Sequence, residues 1–179
     1  MAAKAVPDYD SIMNDHQIWS TLAAGDRRQL KPDLSRRILV VDDEPLIRQL
    51  YTEVLVEAGH TVDGAENGLV AWDALQVSDY DLLITDNVMP KSSGVDLLKK
   101  IHVARMTLPV MMATATFPEE VFIRYPELQP AVTLLKPHTV TEFLEAVEEV
   151  LCIHDGVSEE LAPLPVIQAS PSVKHLWLR

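Results

Sequence analysis

In Arg37-Ile38-Leu39-Val40-Val41-Asp42-Asp43, a run of four apolar residues ends abruptly on two acids, and this pattern is the strongest indication of the fold. A second run, Asp81-Leu82-Leu83-Ile84-Thr85-Asp86, repeats the pattern and ends on a third acid. Apolar runs of this length are typical of strands buried in a parallel sheet. If the two strands are neighbours, their terminal acids converge at the carboxyl edge, where open α/β sheets place their sites.

Three carboxylates at one point repel each other, by about 4 kcal/mol per pair at 4 Å and an effective dielectric near 20. Without compensation, one of them would raise its pKa and take up a proton. A divalent cation removes the repulsion, and a few hard oxygen ligands with room for water and phosphate favour Mg²⁺. Asp42, Asp43 and Asp86 therefore predict a Mg²⁺ site.

Size and composition limit the function classes. The 179 residues have room for one ordinary domain with extensions, and 47% of them are hydrophobic. The net charge of −12 argues against non-specific nucleic-acid binding, which needs a basic surface. Cys152 is the only cysteine, so no disulfide can form within the chain. No apolar run approaches the about 18 residues that are needed to span a bilayer. With no secretory signal pattern at the start, we expect a soluble cytoplasmic protein without a membrane partner.

Residues 36–153 alternate predicted strands and helices, five of each, as in a parallel sheet with crossover helices. The predicted strands are 38–41, 61–65, 82–85, 110–113 and 131–135. The predicted helices begin at Pro45, near 69, near Gly94 and near 119, and after the capping box Thr139-x-x-Glu142. The third helix is expected to bury Val95, Leu98, Ile101 and Val103 or positions near them. Residues 1–35 are read as an N-terminal extension with one short helix near 11–23, and residues 154–179 as a Pro-containing tail.

Two later strands also end on reactive side chains, Thr114 after the fourth strand and Lys136 after the fifth. Alone, the Asp42-Asp43 pair is equally compatible with a solvated turn. A hydroxyl and an ammonium at the same edge are what a site needs to bind a phosphoryl group on an aspartate beside Mg²⁺. In such a mechanism the carboxylate is the nucleophile, and the metal and lysine neutralise charge on the transferring oxygens.

Four motifs in this order closely resemble the receiver domain of two-component response regulators, over about residues 36–153. They are Val40-Val41-Asp42-Asp43-Glu44-Pro45, Asp81 to Asp86 with Met89-Pro90 and Gly94, Pro109 to Ala115, and Leu135-Lys136-Pro137. The resemblance implies a flavodoxin-like, doubly wound five-stranded parallel sheet of strand order 2-1-3-4-5 with helices on both faces.

The resemblance also implies a role for each acid. Asp86 accepts a phosphoryl group from a histidine kinase or histidine phosphotransfer protein. Asp43 binds Mg²⁺ directly, Asp42 binds it largely through water, and the backbone carbonyl of Val88 is a further ligand.

The remaining roles concern the phosphoryl group and the turn beside it. Thr114 hydrogen-bonds the phosphoryl group and Lys136 pairs with it. Ala115 is small, as the family prefers where a donor must approach. A cis peptide is expected between Lys136 and Pro137, where proline lowers its cost.

The chain departs from the family pattern on the face that carries the output signal. Thr133 stands where receivers usually have an aromatic switch residue, and His138 where phenylalanine is common. Three prolines between residues 117 and 130 should also shorten or bend the fourth helix. Val88 and Thr116 hold the positions that tune hydrolysis, and Val88 has no polar atom to orient water. Slow self-dephosphorylation is therefore expected.

The favoured function is a single-domain response regulator that catalyses only its own phosphorylation and dephosphorylation. About 26 residues follow the domain, so we expect signalling through protein–protein contacts with an unknown output protein and no direct DNA binding. A homodimer is left open. The alternative is a non-switching interaction or scaffold module of the same fold, which Thr133 and the prolines favour slightly and which the intact acids, Thr114 and Lys136 argue against. An aspartate-nucleophile phosphatase of the haloacid dehalogenase type is disfavoured, because such enzymes need an acid where Val88 stands.

Overall fold

Five parallel strands form one sheet in the computed structural model, which describes residues 35–154. The order across the sheet is β2-β1-β3-β4-β5, and every neighbouring pair is parallel. The strands are β1 (Arg37–Val41), β2 (Thr61–Ala65), β3 (Leu82–Thr85), β4 (Val110–Thr114) and β5 (Val132–Leu135). The predicted fold class and strand order are confirmed, and β2 and β3 have the predicted bounds.

A helix follows each strand, as the crossover connections of a parallel sheet require. The helices are α1 (Pro45–Glu57), α2 (Gly68–Val77), α3 (Gly94–Val103), α4 (Glu119–Arg124) and α5 (Val140–His154). Helix α4 has only six residues and leads through Tyr125 into a 3₁₀ turn, Pro126–Leu128. The prolines on both sides of α4 limit its length, as the sequence predicts. None of the helices within residues 35–154 is long and apolar enough to cross a membrane.

The three central strands, β1, β3 and β4, are buried because helices cover the sheet. Leu39, Leu83 and Met112 belong to one core cluster with side chains of α2, α3 and α4, among them Leu75, Leu97 and Phe122. Along the sheet, α1 contacts β1 and β2, and α5 contacts β4 and β5. Strands β1, β3 and β4 therefore read as continuous apolar runs rather than as alternating ones.

Local sequence signals define most helix ends. Helix α1 begins at Pro45, and the chain after it turns at Gly59, whose φ is 99°. The predicted capping box before α5 is present, because the Thr139 hydroxyl accepts a hydrogen bond from the Glu142 backbone N–H (3.2 Å), and the Glu142 carboxylate accepts one from the Thr139 N–H (2.8 Å).

The prediction that α3 buries Val103 is wrong, because its side chain is 82% exposed. The buried stripe of α3 runs through Val95, Leu97, Leu98 and Ile101. Val103 is two residues beyond Ile101, which places it on the far side of a helix with 3.6 residues per turn. The predicted helix near 11–23 and the tail beyond 154 lie outside the described residues.

Candidate functional site

The three acids converge at the carboxyl edge of the sheet. Strands β1 and β3 are neighbours with Val41 opposite Thr85, so the residue after each strand lies at the same edge. The Asp86 backbone N–H donates to the Val41 carbonyl at 2.9 Å and keeps the two strand ends together. One carboxylate oxygen each from Asp42, Asp43 and Asp86 lies within 4.8 Å of the others.

Asp42 is the most firmly held of these acids. Its side chain is buried, one carboxylate oxygen accepts from the Glu44 backbone N–H at 2.9 Å, and the other accepts from Lys136 at 2.7 Å. The Arg48 guanidinium donates to the Asp42 backbone carbonyl. Burial raises the pKa of Asp42, because the charged form loses solvation, and the hydrogen bond from Lys136 opposes part of that rise.

Lys136 bridges two of the acids. Its Nζ donates to Asp42 Oδ2 at 2.7 Å and to Asp86 Oδ2 at 2.9 Å, and its side chain is 20% exposed. Burial by itself would lower the pKa of Lys136, but the hydrogen bonds and charges of Asp42 and Asp86 outweigh burial and leave it raised. The ammonium is therefore charged at neutral pH. The peptide bond from Lys136 to Pro137 is cis, as expected.

Asp86 is placed by the loop that follows β3. Its Oδ2 accepts from Lys136, and its Oδ1 accepts from the Val88 backbone N–H at 3.1 Å. The loop folds back on the start of α3, where the Gly94 N–H donates to the Asn87 carbonyl at 3.1 Å. A Cβ on Gly94 would overlap the Asp86 carbonyl oxygen, so only glycine fits there without movement.

Thr114 lies fully buried at the end of β4, and its hydroxyl bonds to the backbone of Thr116 at 3.3 and 3.4 Å. The Lys136 backbone N–H donates to the Thr114 carbonyl at 2.9 Å, so the ends of β4 and β5 lie side by side. Ala115 and Val88 are exposed at this edge. Thr133 is half-buried inside β5, opposite Met112.

Sequence reasoning missed two residues near the site. Tyr51 lies in the apolar pattern of α1, which gives no sign of a polar role, yet its hydroxyl bonds to His138 Nε2 at 2.8 Å. Arg48 was not singled out, although it reaches the Asp42 carbonyl. Their signal is weak but present, since each is a polar group on the helix that follows Asp42 and Asp43 directly.

The donor set fits a hard divalent cation. Asp42, Asp43 and Asp86 supply carboxylate oxygens at one point, and the Val88 backbone carbonyl stays a predicted further ligand. Among the described residues, Lys136 bonds to two of the three carboxylates and the Arg48 guanidinium reaches the Asp42 backbone, so two positive charges face three negative ones and negative charge remains in excess. A divalent cation would compensate the excess, and Mg²⁺ suits a small site that keeps water and phosphate among its ligands.

A family model described as response regulator receiver domain matches residues 38–148 of the chain. The chain therefore belongs to the response regulator receiver domain family, the class of two-component signalling modules that the sheet order and acidic edge define.

Three relatives illustrate the match. The transcriptional regulatory protein CusR of Escherichia coli is 33% identical over 115 residues, which are 64% of this chain and 51% of CusR. The chemotaxis response regulator CheY4 of Vibrio cholerae is 27% identical at a TM-score of 0.60, over 66% of this chain and 100% of CheY4. The response regulator TrrA of Thermotoga maritima, solved in complex with Mg²⁺-BeF, is 34% identical at a TM-score of 0.58, over 65% of this chain and 99% of TrrA.

The similarity to CusR concerns one part of that protein, because the chain spans about half of its length. The expectations of a single-domain protein and of no direct DNA binding thus stay predictions. Cytoplasmic localisation and a homodimer stay predictions too.

Proposed function

We propose that the domain accepts a phosphoryl group on Asp86 in a Mg²⁺-dependent reaction. The observation that carries the proposal is Lys136, whose Nζ bonds to Asp42 at 2.7 Å and to Asp86 at 2.9 Å beside a cluster of three carboxylates. A lysine held in this way neutralises charge where a phosphoryl group would arrive. Phosphoryl transfer depends mainly on positioning and charge stabilisation, and these residues supply both.

The proposed donor is the phosphohistidine of a histidine kinase or of a histidine phosphotransfer protein. An Asp86 carboxylate oxygen attacks phosphorus, an O–P bond forms, and the P–N bond to the donor imidazole breaks. The imidazole leaves with the electron pair of the broken bond and takes up a proton. Mg²⁺, held by Asp42, Asp43, Asp86 and the Val88 carbonyl, would neutralise the phosphoryl oxygens.

Lys136 and Thr114 bind the phosphoryl group once it is on Asp86. Lys136 exchanges its bond to the Asp86 carboxylate for a phosphoryl oxygen while it keeps its contact with Asp42. The Thr114 hydroxyl turns from the Thr116 backbone to another phosphoryl oxygen, and its present bonds of 3.3 and 3.4 Å are long enough to give up at small cost. The domain catalyses only this transfer and the later hydrolysis.

Phosphorylation of the intact chain tests the proposal. The protein is incubated with Mg²⁺ and acetyl phosphate, and intact mass and peptide mapping then follow the phosphoryl group. We expect one phosphoryl group on Asp86, none after Mg²⁺ is chelated, and none on Asp86→Asn. Asp73→Asn, which changes an exposed acid on α2, is the matched control and should react like wild type. Labelling of Asp86→Asn, or an unlabelled wild type, would contradict the proposal.

The signal is proposed to leave through protein–protein contacts, with an unknown output protein as the partner. Phosphorylation adds about two negative charges, and the loops around Thr114 and Lys136 repack around them. Beryllofluoride with Mg²⁺ mimics the phosphoryl group, so NMR spectra with and without it report any change at Thr133 and α4. A spectrum that changes only at the acidic edge would favour the non-switching interaction module.

A further inference from the structure

An aromatic stack joins three elements around the turn that follows Lys136. Tyr51 on α1 stacks on Phe143 of α5, with ring centroids 4.2 Å apart and planes 9° apart. His138, in the loop between β5 and α5, lies nearly parallel to both rings, with centroids 5.8 Å from Tyr51 and 6.1 Å from Phe143. Tyr51 and Phe143 are almost completely buried. The stack therefore ties the loop to two helices.

Both ring nitrogens of His138 have a partner. Nε2 lies 2.8 Å from the Tyr51 hydroxyl, and Nδ1 lies 3.4 Å from the Leu135 carbonyl. One neutral tautomer satisfies both contacts, in which Nδ1–H donates to the carbonyl and Nε2 accepts from the hydroxyl. Burial lowers the pKa of His138, with a contribution from the Lys136 charge, and so favours this neutral ring.

These contacts hold the backbone that follows Lys136 in the chain. Lys136 itself is held through its backbone N–H, which donates to the Thr114 carbonyl at 2.9 Å. His138 lies only two residues after Lys136 and is held by Tyr51 of α1. The turn is thus anchored at both ends, and the lysine side chain leaves it toward two carboxylates at 2.7 and 2.9 Å.

We propose that Tyr51 and His138 act through their hydrogen bond as positioning residues for Lys136 in phosphoryl transfer. The inference rests on the proposed function and adds residues outside the acidic cluster to it. A phenylalanine at position 138 would keep an aromatic ring in the stack and lose both the hydrogen bond to Tyr51 and the longer one to the Leu135 carbonyl. The histidine therefore adds a directed contact to α1, and this contact fixes where Lys136 stands before the phosphoryl group arrives.

Four proteins separate positioning from simple stability, namely the intact wild type, Tyr51→Phe, His138→Phe and the double variant. Tyr51→Phe leaves His138 Nε2 without its partner, and His138→Phe leaves the Tyr51 hydroxyl and the Leu135 carbonyl without theirs, so both should lower the thermal unfolding midpoint. The double variant removes the Tyr51 hydroxyl and the ring nitrogens together, keeps an apolar stack and leaves only the long contact to the Leu135 carbonyl unmade, so its midpoint should return toward that of wild type.

The rate of Asp86 phosphorylation by acetyl phosphate with Mg²⁺ is the second measurement. We expect all three variants, the double variant included, to react about 10-fold more slowly than wild type, because a small misplacement of a catalytic group costs this much. A rate that recovers together with the midpoint in the double variant would mean a structural role and overturn the inference. Tyr80→Phe removes a tyrosine hydroxyl bonded to Asp63 at 2.9 Å, at the amino end of β3, and should leave the rate unchanged.

Two further outcomes are decisive. If His138→Phe does not fold, Tyr51→Phe decides alone, because it removes one oxygen and keeps the stack on Phe143, and an unchanged rate overturns the inference. If wild type gains no phosphoryl group on Asp86, the proposed function itself fails. A phosphorylated wild type with equally fast variants refutes only the role of Tyr51 and His138.

Discussion

Gly94→Ala should disturb the placement of Asp86 from outside the acidic cluster. Gly94 is the first residue of α3, and the loop after β3 passes directly over it. A Cβ at this position would overlap the Asp86 carbonyl oxygen and lie 3.1 Å from the Asn87 Cα. Both neighbours are backbone atoms, which cannot rotate away as a side chain can. The loop or the first turn of α3 must therefore move.

The size of the effect follows from this overlap. Carbon and carbonyl oxygen approach each other to about 3.3 Å in favourable contacts, so the loop must shift by on the order of 1 Å. Forcing one extra methyl group into a packed site costs typically about 1–3 kcal/mol of unfolding free energy. A displacement of about 1 Å at a reacting group lowers a rate by up to about 100-fold. Since Asp86 precedes this loop, we expect both losses in Gly94→Ala.

Two measurements on the intact chain test the reasoning, urea unfolding for stability and the initial rate of Asp86 phosphorylation by acetyl phosphate with Mg²⁺. The control is Gly64→Ala, because the three atoms nearest to its new Cβ all belong to the flexible Arg48 side chain and lie at 3.4 Å or more, an ordinary van der Waals distance. We expect the control to change neither quantity by much. If Gly94→Ala is as stable and as reactive as wild type, the close approach of α3 to the Asp86 carbonyl does not control the site.

Three further changes test other parts of the molecule. Val88→Asn should speed the loss of the phosphoryl group, because an amide there can orient water where valine cannot; a time course of bound phosphate checks this, and equal lifetimes would contradict it. Thr139→Ala should cost about 1 kcal/mol of unfolding free energy by removing the α5 cap, while the exposed Thr141→Ala should cost less in the same urea titration. Burial lowers the pKa of His60 from 6.5 in the folded domain, so as the pH falls the imidazole takes up a proton in the unfolded chain before it does so in the folded one. The stability contributed by the neutral, buried His60 is therefore complete above about pH 6.5 and is lost as the pH falls. The free energy of unfolding, measured from pH 7 to 5, should depend less steeply on pH in His60→Gln.

The chain departs most from the receiver pattern on the face that we expect to carry the output signal. Thr133 is half-buried in β5 beside Met112 and has no ring to rotate inward. Helix α4 is cut to six residues between prolines. The aromatic stack of the domain is formed by Tyr51 of α1, Phe143 of α5 and His138 in the loop before α5. We expect the beryllofluoride spectra to report which of these two regions responds.

Local signals explain why so much of the fold was predictable. Strand β3 has its predicted bounds because a short apolar run lies between acids, and α5 begins where the capping box from Thr139 predicts. Helix α3 shows the limit of such signals. Its apolar pattern placed Val103 in the core, but the helix ends there and the side chain faces solvent. Periodicity identifies an element better than it identifies each buried residue.

The parallel sheet and the acids at its carboxyl edge can be predicted from the sequence alone, because those features depend on short runs of neighbouring residues. Which side chains meet at that edge depends on the tertiary structure. Lys136 reaches Asp42 across 94 residues, and Tyr51 reaches His138 across 87. Such contacts depend on how β5, α1 and α5 pack against the sheet, and no local periodicity records that packing. The acids can thus be identified from the sequence, while the arrangement that holds Lys136 between two of them exists only in the folded domain.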